Sequence, residues 1–319
     1  MIRYTVATIA ALAIGMTPIG AAAQDKYPSK LVHIVVGVAP GGLIDVTARL
    51  LAKYLQPRLG RPIIIENKPG ANTTIAANAV LKAAPDGYTL FYGGAMSASP
   101  IFVKNGGVDF VTQMKPVSLV LSAPFYLLVN NNVAAKSIQE LSAYSKKKPL
   151  NYADNAPASA LVMSAIAERT GLNFRPIPYK GSAPSLTALI SGEVDMGLDT
   201  VPNYLPYIKS GKVRALMSTG RARTQALPDV ATGIEEKVID FSTGSVFGLW
   251  APPGTPDAIV QRLSTEIAAI AKDPEFREAF LKATQTEPLS STPAELLKVI
   301  ESDKALYSSV AKRIGYQPQ

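Results

Sequence analysis

The chain has 319 residues, with 32 Lys and Arg, 24 Asp and Glu, one histidine and no cysteine. A chain of this length buries enough apolar surface to fold without disulfides, and the lack of cysteine excludes thiol nucleophiles and thiolate metal sites. The single histidine, His33, lies in an apolar run that predicts a buried strand, so a Ser-His-Asp triad or a multi-histidine metal centre is not expected. We therefore predict no catalytic residues, no metal and no cofactor.

The N-terminus has the pattern of a secretory signal. A basic residue precedes an apolar run at 4–16 that is too short to span a bilayer. Small residues at Ala21 and Ala23 predict a signal peptide at 1–23 that is cleaved before Gln24. The alternative, an uncleaved membrane anchor, lacks a basic stop-transfer cluster. The mature protein is therefore expected in the periplasm.

The net charge favours anionic partners. The signal removes only one basic residue, so the mature chain keeps 31 basic against 24 acidic residues, or +7. Such an excess attracts anions over long distances. The basic residues are scattered, with 146–148 the only run, and no stripe of aromatic and basic residues accompanies them. Nucleic acid is therefore not an expected partner.

Short runs rich in β-formers alternate with helical patterns, which is typical of βαβ units and a largely parallel sheet. In chain order, the first third predicts a strand at 32–38, a helix at 43–59, a strand at 62–66, a helix at 74–83 and a strand at 88–92. The fold class predicted from this alternation is α/β.

The rest of the chain continues the alternation. An apolar strand-like stretch at 117–130 changes register at 122–124. After it, the pattern predicts helices at 137–148, 158–170, 185–191 and 204–209, strands at 150–153, 174–178, 194–198, 214–218 and 246–251, and a helix-rich tail from 257.

This order predicts two lobes. Lobe 1 is discontinuous and comprises 24–123 and 246–319, and lobe 2 is the inserted segment 124–245. Two crossings between the lobes imply a hinge and a cleft, with ligands bound where the strands of an open parallel sheet end.

Turns rich in small residues follow several predicted strands, at 39–42, 93–97, 155–159 and 181–183. Glycine lets the backbone approach a ligand, and the free N–H groups at a helix start hold an anion. Because these turns occur in both predicted lobes, they favour an anion held between helix N-termini.

Two aspartates stand beside these turns. Asp45 is expected to stabilise the first helical turn and to pair with Arg49, four residues on. Asp199 ends a strand, where it either reaches the cleft as a polar anchor or closes a turn.

Several motifs resemble the tripartite tricarboxylate transporter receptors, the Bug-type solute-binding family. They lie in order from Tyr27 to near the C-terminus: Tyr-Pro-Ser-Lys at 27–30, Ala-Pro-Gly-Gly-x-x-Asp-x-x-Ala-Arg at 39–49, Glu-Asn-Lys-Pro-Gly-Ala at 66–71, Ala-Pro-Asp-Gly-Tyr-Thr-Leu at 84–90, Leu-Asn-Tyr-Ala at 150–153, Pro-Tyr-Lys-Gly-Ser-Ala-Pro at 178–184, Gly-Glu-Val-Asp at 192–195, Leu-Pro-Asp-Val at 227–230 and Gly-Leu-Trp-Ala-Pro at 248–252.

The resemblance implies a two-lobed periplasmic binding protein of type II, a Venus-flytrap receptor with mostly parallel sheets and an interlobe ligand cleft. It implies a monomer that delivers a small carboxylate (a dicarboxylate, tricarboxylate, acidic amino acid or aromatic acid) to the cytoplasmic-membrane permease subunits of a tripartite tricarboxylate transporter. The turns and the resemblance together predict these ligand-binding residues: Ala39, Pro40, Gly41, Gly42, Gly93, Gly94, Ser97, Asn155, Ser159, Tyr179, Lys180, Gly181, Ser182, Ala183, Asp199 and Thr200.

The chain departs from the family pattern in two predicted ligand loops. The turn at 154–161 lacks the usual serine- and glycine-rich sequence, and 94–98 lacks the usual threonine or histidine. Asp154 disfavours a second ligand carboxylate nearby unless it faces away. The ligand is therefore expected to differ from the commonest ones of the family.

Two other functions remain open. A signalling receptor that presents its ligand to a membrane sensor would use the same cleft. A secreted hydrolase needs a base beside a nucleophile, and the sequence has no Gly-x-Ser-x-Gly motif.

We expect the exported protein to begin at Gln24, because signal peptidase recognises small residues in the Ala-x-Ala arrangement. Intact-mass measurement of protein recovered from the periplasm checks this. Exported protein that still carries residues 1–23 would contradict it.

Overall fold

The computed structural model describes residues 27–318, and the predicted signal peptide and its cleavage site lie outside the described residues. The strands are β1 Val32–Val36, β2 Ile63–Asn67, β3 Thr89–Gly94, β4 Lys115–Asn130, β5 Leu150–Asp154, β6 Phe174–Pro178, β7 Met196–Thr200, β8 Val213–Ser218 and β9 Gly244–Ala251. The helices are α1 Leu43–Leu59, α2 Thr74–Leu81, α3 Phe110–Gln113, α4 Ile138–Ser145, α5 Pro157–Thr170, α6 Ser182–Ser191, α7 Leu205–Lys209, α8 Asp257–Ile270, α9 Pro274–Thr284 and α10 Pro293–Ile314. Among these helices none is long and apolar enough to cross a membrane.

The strand β4 belongs to both halves of the sheet. Up to Pro124 it pairs antiparallel with β9, and from Phe125 it pairs antiparallel with β7. The partner changes at a proline, which has no backbone N–H to donate to a neighbouring strand. The predicted register change at 122–124 is therefore an exchange of partners along one continuous strand.

Two parallel sets of strands flank β4. One set is β2-β1-β3, joined through β9, and the other is β6-β5-β7, while β8 pairs with the second half of β4. The predicted parallel pairing is thus confirmed within each set. The strands β4 and β9 are antiparallel to their neighbours, so the sheet as a whole is mixed.

Glycines bound several helices. The helix α1 follows Gly42 and ends at Gly60, whose φ of 67° is the left-handed conformation that closes many helices. Its buried side chains include Ala48, Leu51 and Leu55, spaced as the face of an amphipathic helix requires.

The helix α6 begins at Ser182, three residues before the predicted start. Gly181 takes the N-cap position with a φ of 96°, and Pro184 falls in the first turn. Proline is tolerated there because the first N–H groups of a helix have no partner within the helix.

The core follows the two strand sets and also joins them. One apolar cluster packs α1, α8 and α9 on the first set, and another packs α6 and α7 on the second. A third cluster runs between the two sets and includes Phe91 and Trp250 on one side and Tyr152 and Leu161 on the other. The helix α10 contributes Tyr307 to this cluster and contacts both β4 and α5, so it bridges the sets.

Close backbone contacts mark the place where β4 and β9 leave the first set. A Cβ atom on Gly244 would lie 2.2 Å from the carbonyl oxygen of Ala123, so only glycine fits. Nearby, the Thr219 hydroxyl donates to the Thr243 carbonyl (2.6 Å), and the Thr243 hydroxyl lies 2.7 Å from that of Tyr307. These bonds fix the register at the junction.

Burial raises the pKa of Asp303, on α10, from its ordinary value of 3.8 to about 6. Because the unfolded chain releases this proton at lower pH, the free energy of unfolding should fall as the pH rises from about 4 to 6, and stay lower above that. We expect Asp303→Asn to raise the free energy of unfolding by about 1–3 kcal/mol at pH 7 and to change it little near pH 3.5. Urea titrations at both pH values measure this.

A matched control removes the same charge elsewhere. Asp229 is exposed, so Asp229→Asn should change stability by less than about 0.5 kcal/mol at either pH. Asp303→Asn and wild type of equal stability at pH 7 would contradict the prediction.

Candidate functional site

The carboxyl ends of the two strand sets face each other across β4. Gly94, at the end of β3, pairs with a residue of β9 that in turn pairs with Leu121 of β4. Thr200, at the end of β7, pairs with Phe125 of β4. Because β3 runs with β4 and β7 runs against it, both strands end toward the same gap. Four residues of strand span about 13 Å, which is the separation of the two ends along β4.

The predicted ligand residues lie at these facing ends. The segments 39–42 and 93–97 follow or end β1 and β3, while 155–159, 179–183 and 199–200 follow or end β5, β6 and β7. The structure therefore brings residues from both predicted lobes to one gap.

The loop after β1 presents an open helix start. Gly42 is the N-cap of α1 and no side chain caps it, while Gly41 has a φ of 94°, and a Cβ atom on either glycine would have no atom within 4 Å. Behind the loop, Asp45 accepts hydrogen bonds from the N–H of Gly41 (3.0 Å) and from Asn67 (2.9 Å) and pairs with Arg49 at 2.9 Å. The predicted pairing of Asp45 with Arg49 is confirmed.

Asp45 stays ionised in this setting. Burial raises its pKa, but the hydrogen bonds from Arg49, Asn67 and Gly41 outweigh that effect and hold the pKa below its usual range. The carboxylate thus anchors the loop rather than facing the gap, since its side chain is only 3% exposed.

The loop after β3 is more deeply buried than the loop after β1. Gly93 and Gly94 are buried within β3, and only Ser97 is partly exposed. A Cβ atom on Gly93 would lie 3.1 Å from the Phe91 ring. These glycines are closely packed, and their contact with a ligand stays a prediction.

The loop after β6 is a second open helix start. Gly181 is the N-cap of α6, has a φ of 96° and no side-chain cap, and a Cβ atom there would meet no atom within 4 Å. Lys180 and Ala183 are exposed and Ser182 is partly buried. Tyr179 turns toward its own lobe, since its hydroxyl donates to Glu193 at 2.9 Å.

A polar network joins β7 to the start of α5. The Asn155 amide donates to Asp199 at 2.7 Å, the Tyr204 hydroxyl donates to the same carboxylate at 3.1 Å, and the Ser185 hydroxyl lies 3.0 Å from that of Tyr204. The Ser159 hydroxyl donates to the side-chain oxygen of Asn155 at 3.1 Å. These bonds hold the start of α5 against the strand ends.

The network surrounds Asp199. Burial raises its pKa, against the opposing effects of Ser182, the Thr200 N–H, Tyr204 and Asn155, and the residue is 7% exposed. Asp199 is thus bonded to residues of its own lobe. Its contact with a ligand, like that of Asn155 and Ser159, stays a prediction.

Among residues 27–318, no group of three or more His, Asp or Glu side chains is placed to hold a metal ion. An open concavity lined by Ser164, Glu168, Phe174 and Tyr316 lies between α5 and the end of α10, away from the strand ends.

Sequence reasoning missed two groups of residues near the gap. Ser185 and Tyr204, which support Asp199, are not among the predicted ligand residues. Thr73 and Thr74 are not among them either, although the strand-turn-helix order around them matches that of the predicted ligand loops. This shared strand-turn-helix order is the feature of the sequence that could have identified them.

Comparison with known proteins now decides the family. A family model described as the tripartite tricarboxylate transporter family receptor matches residues 47–316. The chain belongs to this receptor family.

Three solved structures of similar proteins agree with this assignment. The periplasmic binding protein BugD is 34% identical, with a TM-score of 0.82 over 92% of this chain and 100% of BugD. The R. palustris protein Rpa4515 with adipate is 31% identical, with a TM-score of 0.84 and coverage of 92% and 100%. MatC from Rhodopseudomonas palustris with bound malate is 28% identical, with a TM-score of 0.79 and coverage of 89% and 99%. The predicted family and the two-lobed periplasmic-binding-protein fold are confirmed.

Proposed function

We propose that this receptor captures a small carboxylate in the gap between its lobes and passes it to the membrane permease of a tripartite tricarboxylate transporter. It acts in the periplasm, as a monomer and without catalysis. The carboxylate-bound relatives, which hold adipate and malate, support the ligand class.

One observation carries this proposal. Two helices, α1 and α6, begin at glycines that leave their first N–H groups uncapped by side chains, and they belong to opposite strand sets whose ends face each other. Free N–H groups and the positive end of the helix dipole stabilise an anion. A carboxylate between Gly42 and Gly181 would be held from both sides by backbone groups.

The lobes are proposed to be 24–123 with 246–319, and 124–245. The pairing of β4 supports the first boundary, because β9 is its partner up to Pro124 and β7 is its partner from Phe125. The tight contact of Gly244 with Ala123 supports the second. Rotation about these two crossings would open and close the gap.

We expect Gly181→Val to abolish carboxylate binding. A branched side chain is strained at a φ of 96°, and its Cβ would project into the open space before α6.

Ser182→Ala should cost about 0.5–1.5 kcal/mol of binding free energy, or up to about 3 if the hydroxyl meets the charge. Thermal shift with refolded, ligand-free protein measures this, since ligand at about 100 times Kd stabilises by about 2.7 kcal/mol.

Gly211→Val is the matched control. Gly211 has a φ of 73° and open space around its Cβ position, but it precedes β8 at the end remote from the gap. The Gly211→Val variant should be less stable than wild type and should bind the carboxylate as tightly as wild type does. A Gly181→Val variant that binds as tightly as wild type would show that this loop does not hold the carboxylate.

We expect the protein to become more compact on binding. A panel of carboxylates is first screened by thermal shift, and the radius of gyration is then measured by solution scattering with a stabilising carboxylate. A carboxylate that gives no thermal shift is the control and should leave the radius unchanged. A panel with no stabilising member would refute the proposed function, and tight binding without compaction would refute the hinge.

A further inference from the structure

The end of α10 joins the two proposed lobes. By chain order α10 belongs to lobe 1, because it follows β9, α8 and α9. It nevertheless contacts α5, a helix of the inserted lobe 2, and there Arg313 donates to Glu168 at 3.0 Å. Among the ion pairs formed by residues 27–318, this is the only one that joins the two proposed lobes.

The backbone at the end of α10 fixes the position of Tyr316. The helix ends at Gly315, whose φ of 67° is left-handed, and the N–H of Tyr316 donates to the Ala311 carbonyl at 2.9 Å. This is the bond of a Schellman motif, in which the residue after the glycine commonly makes an apolar contact. The direction in which the chain leaves the helix is therefore set by local geometry.

The chain end contacts apolar residues of both proposed lobes. Ile314 and Tyr316 pack against the cluster that joins the two strand sets, and they line a concavity together with Ala167 and Phe174 of lobe 2. The Tyr316 ring lies edge-on to that of Phe102 in lobe 1, with centroids 6.1 Å apart. These apolar contacts add to the ion pair, which is partly exposed and by itself contributes little.

Further contacts link this chain end to one of the two crossings between the lobes. The Phe102 ring also lies edge-on to Tyr307, at 5.4 Å, and the Tyr307 hydroxyl lies 2.7 Å from that of Thr243. Thr243 directly precedes β9, at the second crossing. Rotation of lobe 2 about this crossing would therefore move α5 away from a chain end that stays with lobe 1.

Contacts at the gap indicate which arrangement the chain end stabilises. The segment Ala95–Ala98 follows β3 of lobe 1, and α5 follows β5 of lobe 2, so both lie where the strand ends face each other. The segment and the helix are in contact. The arrangement in which the end of α10 reaches α5 thus corresponds to a closed gap.

We propose that Arg313, Ile314 and Tyr316 form a C-terminal clasp that stabilises the closed gap and thereby strengthens ligand binding. The clasp rests on the lobes of the proposed function and adds a determinant of affinity outside the ligand site. The apparent Kd of a receptor that closes on its ligand rises as the closed fraction falls. Loss of the clasp should therefore open the unliganded protein and weaken every ligand by the same factor.

Tyr316 offers a matched pair of variants. Its hydroxyl is buried and has no hydrogen-bond partner among the described residues, so the clasp uses the ring alone. Tyr316→Ala removes the ring contacts and should open the clasp. Tyr316→Phe keeps the ring and should behave as wild type does.

The distance between the lobes can be measured without a ligand. The chain has no cysteine, so Lys53→Cys on α1 and Thr187→Cys on α6, both exposed, place two spin labels on opposite lobes. In the unliganded protein, Tyr316→Ala and Glu168→Arg should each increase the fraction of long distances between the labels. Pulsed electron paramagnetic resonance measures this.

The ion pair allows a rescue. Glu168→Arg places two positive side chains together, and adding Arg313→Glu restores an ion pair of reversed polarity, so the double variant should return the label distances to those of wild type. Glu287→Arg is the control, because it breaks an exposed pair with Arg277, also at 3.0 Å, within lobe 1. It should leave the label distances unchanged.

Adipate and malate are the probes for affinity, with Kd measured by calorimetry on refolded, ligand-free protein. Tyr316→Ala should raise the Kd of each probe that binds about threefold or more and by the same factor, while Tyr316→Phe should keep it within about twofold. A role in folding alone would lower the melting temperature and leave Kd and the label distances unchanged.

The outcomes distinguish the clasp from the proposed function. Unchanged label distances in Tyr316→Ala and Glu168→Arg would overturn the clasp, and so would tighter binding by either variant. Glu168→Arg changes an exposed side chain and decides the matter if Tyr316→Ala fails to fold. If no carboxylate of the thermal-shift panel binds, the proposed function falls, while the label distances still decide the clasp.

Discussion

The continuous strand β4 is the constraint on which the rest of the structure depends. Its first part lies in one half of the sheet and its second part in the other, and the change of partner occurs at Pro124. Because the flanking strand sets run in opposite directions along β4, their carboxyl ends meet at one gap. The proposed site, with its five separate loops, follows from this single arrangement of hydrogen bonds.

The helices that begin at the gap lack a stabilising side-chain cap, which leaves their first N–H groups accessible. A side-chain cap on α1 or α6 would contribute about 1 kcal/mol to stability, but it would occupy the N–H groups that an anion needs. Gly42 and Gly181 leave these groups open. The loops are held instead by side-chain hydrogen bonds within each lobe. These are the bond of Arg49 to Asp45 in one lobe and the bond of Asn155 to Asp199 in the other.

This arrangement gives acidic residues a supporting role in a site for an anion. Asp45 and Asp199 accept hydrogen bonds from donors of their own lobe and hold the neighbouring loops in place. Long-range attraction is supplied instead by the excess of basic residues over the whole chain. In the proposed function, backbone dipoles contact the anion and the distributed surface charge attracts it from a distance.

The sequence by itself determined the local elements, the α/β class, the family and the pairing of Asp45 with Arg49, because periodicity, glycine placement and the spacing of a helical ion pair act over a few residues. Tertiary structure alone decided the antiparallel partners of β4, the bond between Asn155 and Asp199, and the strained turn at 71–73. Asn155 and Asp199 are separated by 44 residues, and no local pattern records which distant strands become neighbours. At 71–73, Thr73 packs on Gly37 and the turn contacts the loop after β3, and only Asn72 is of a residue type that often takes a positive φ.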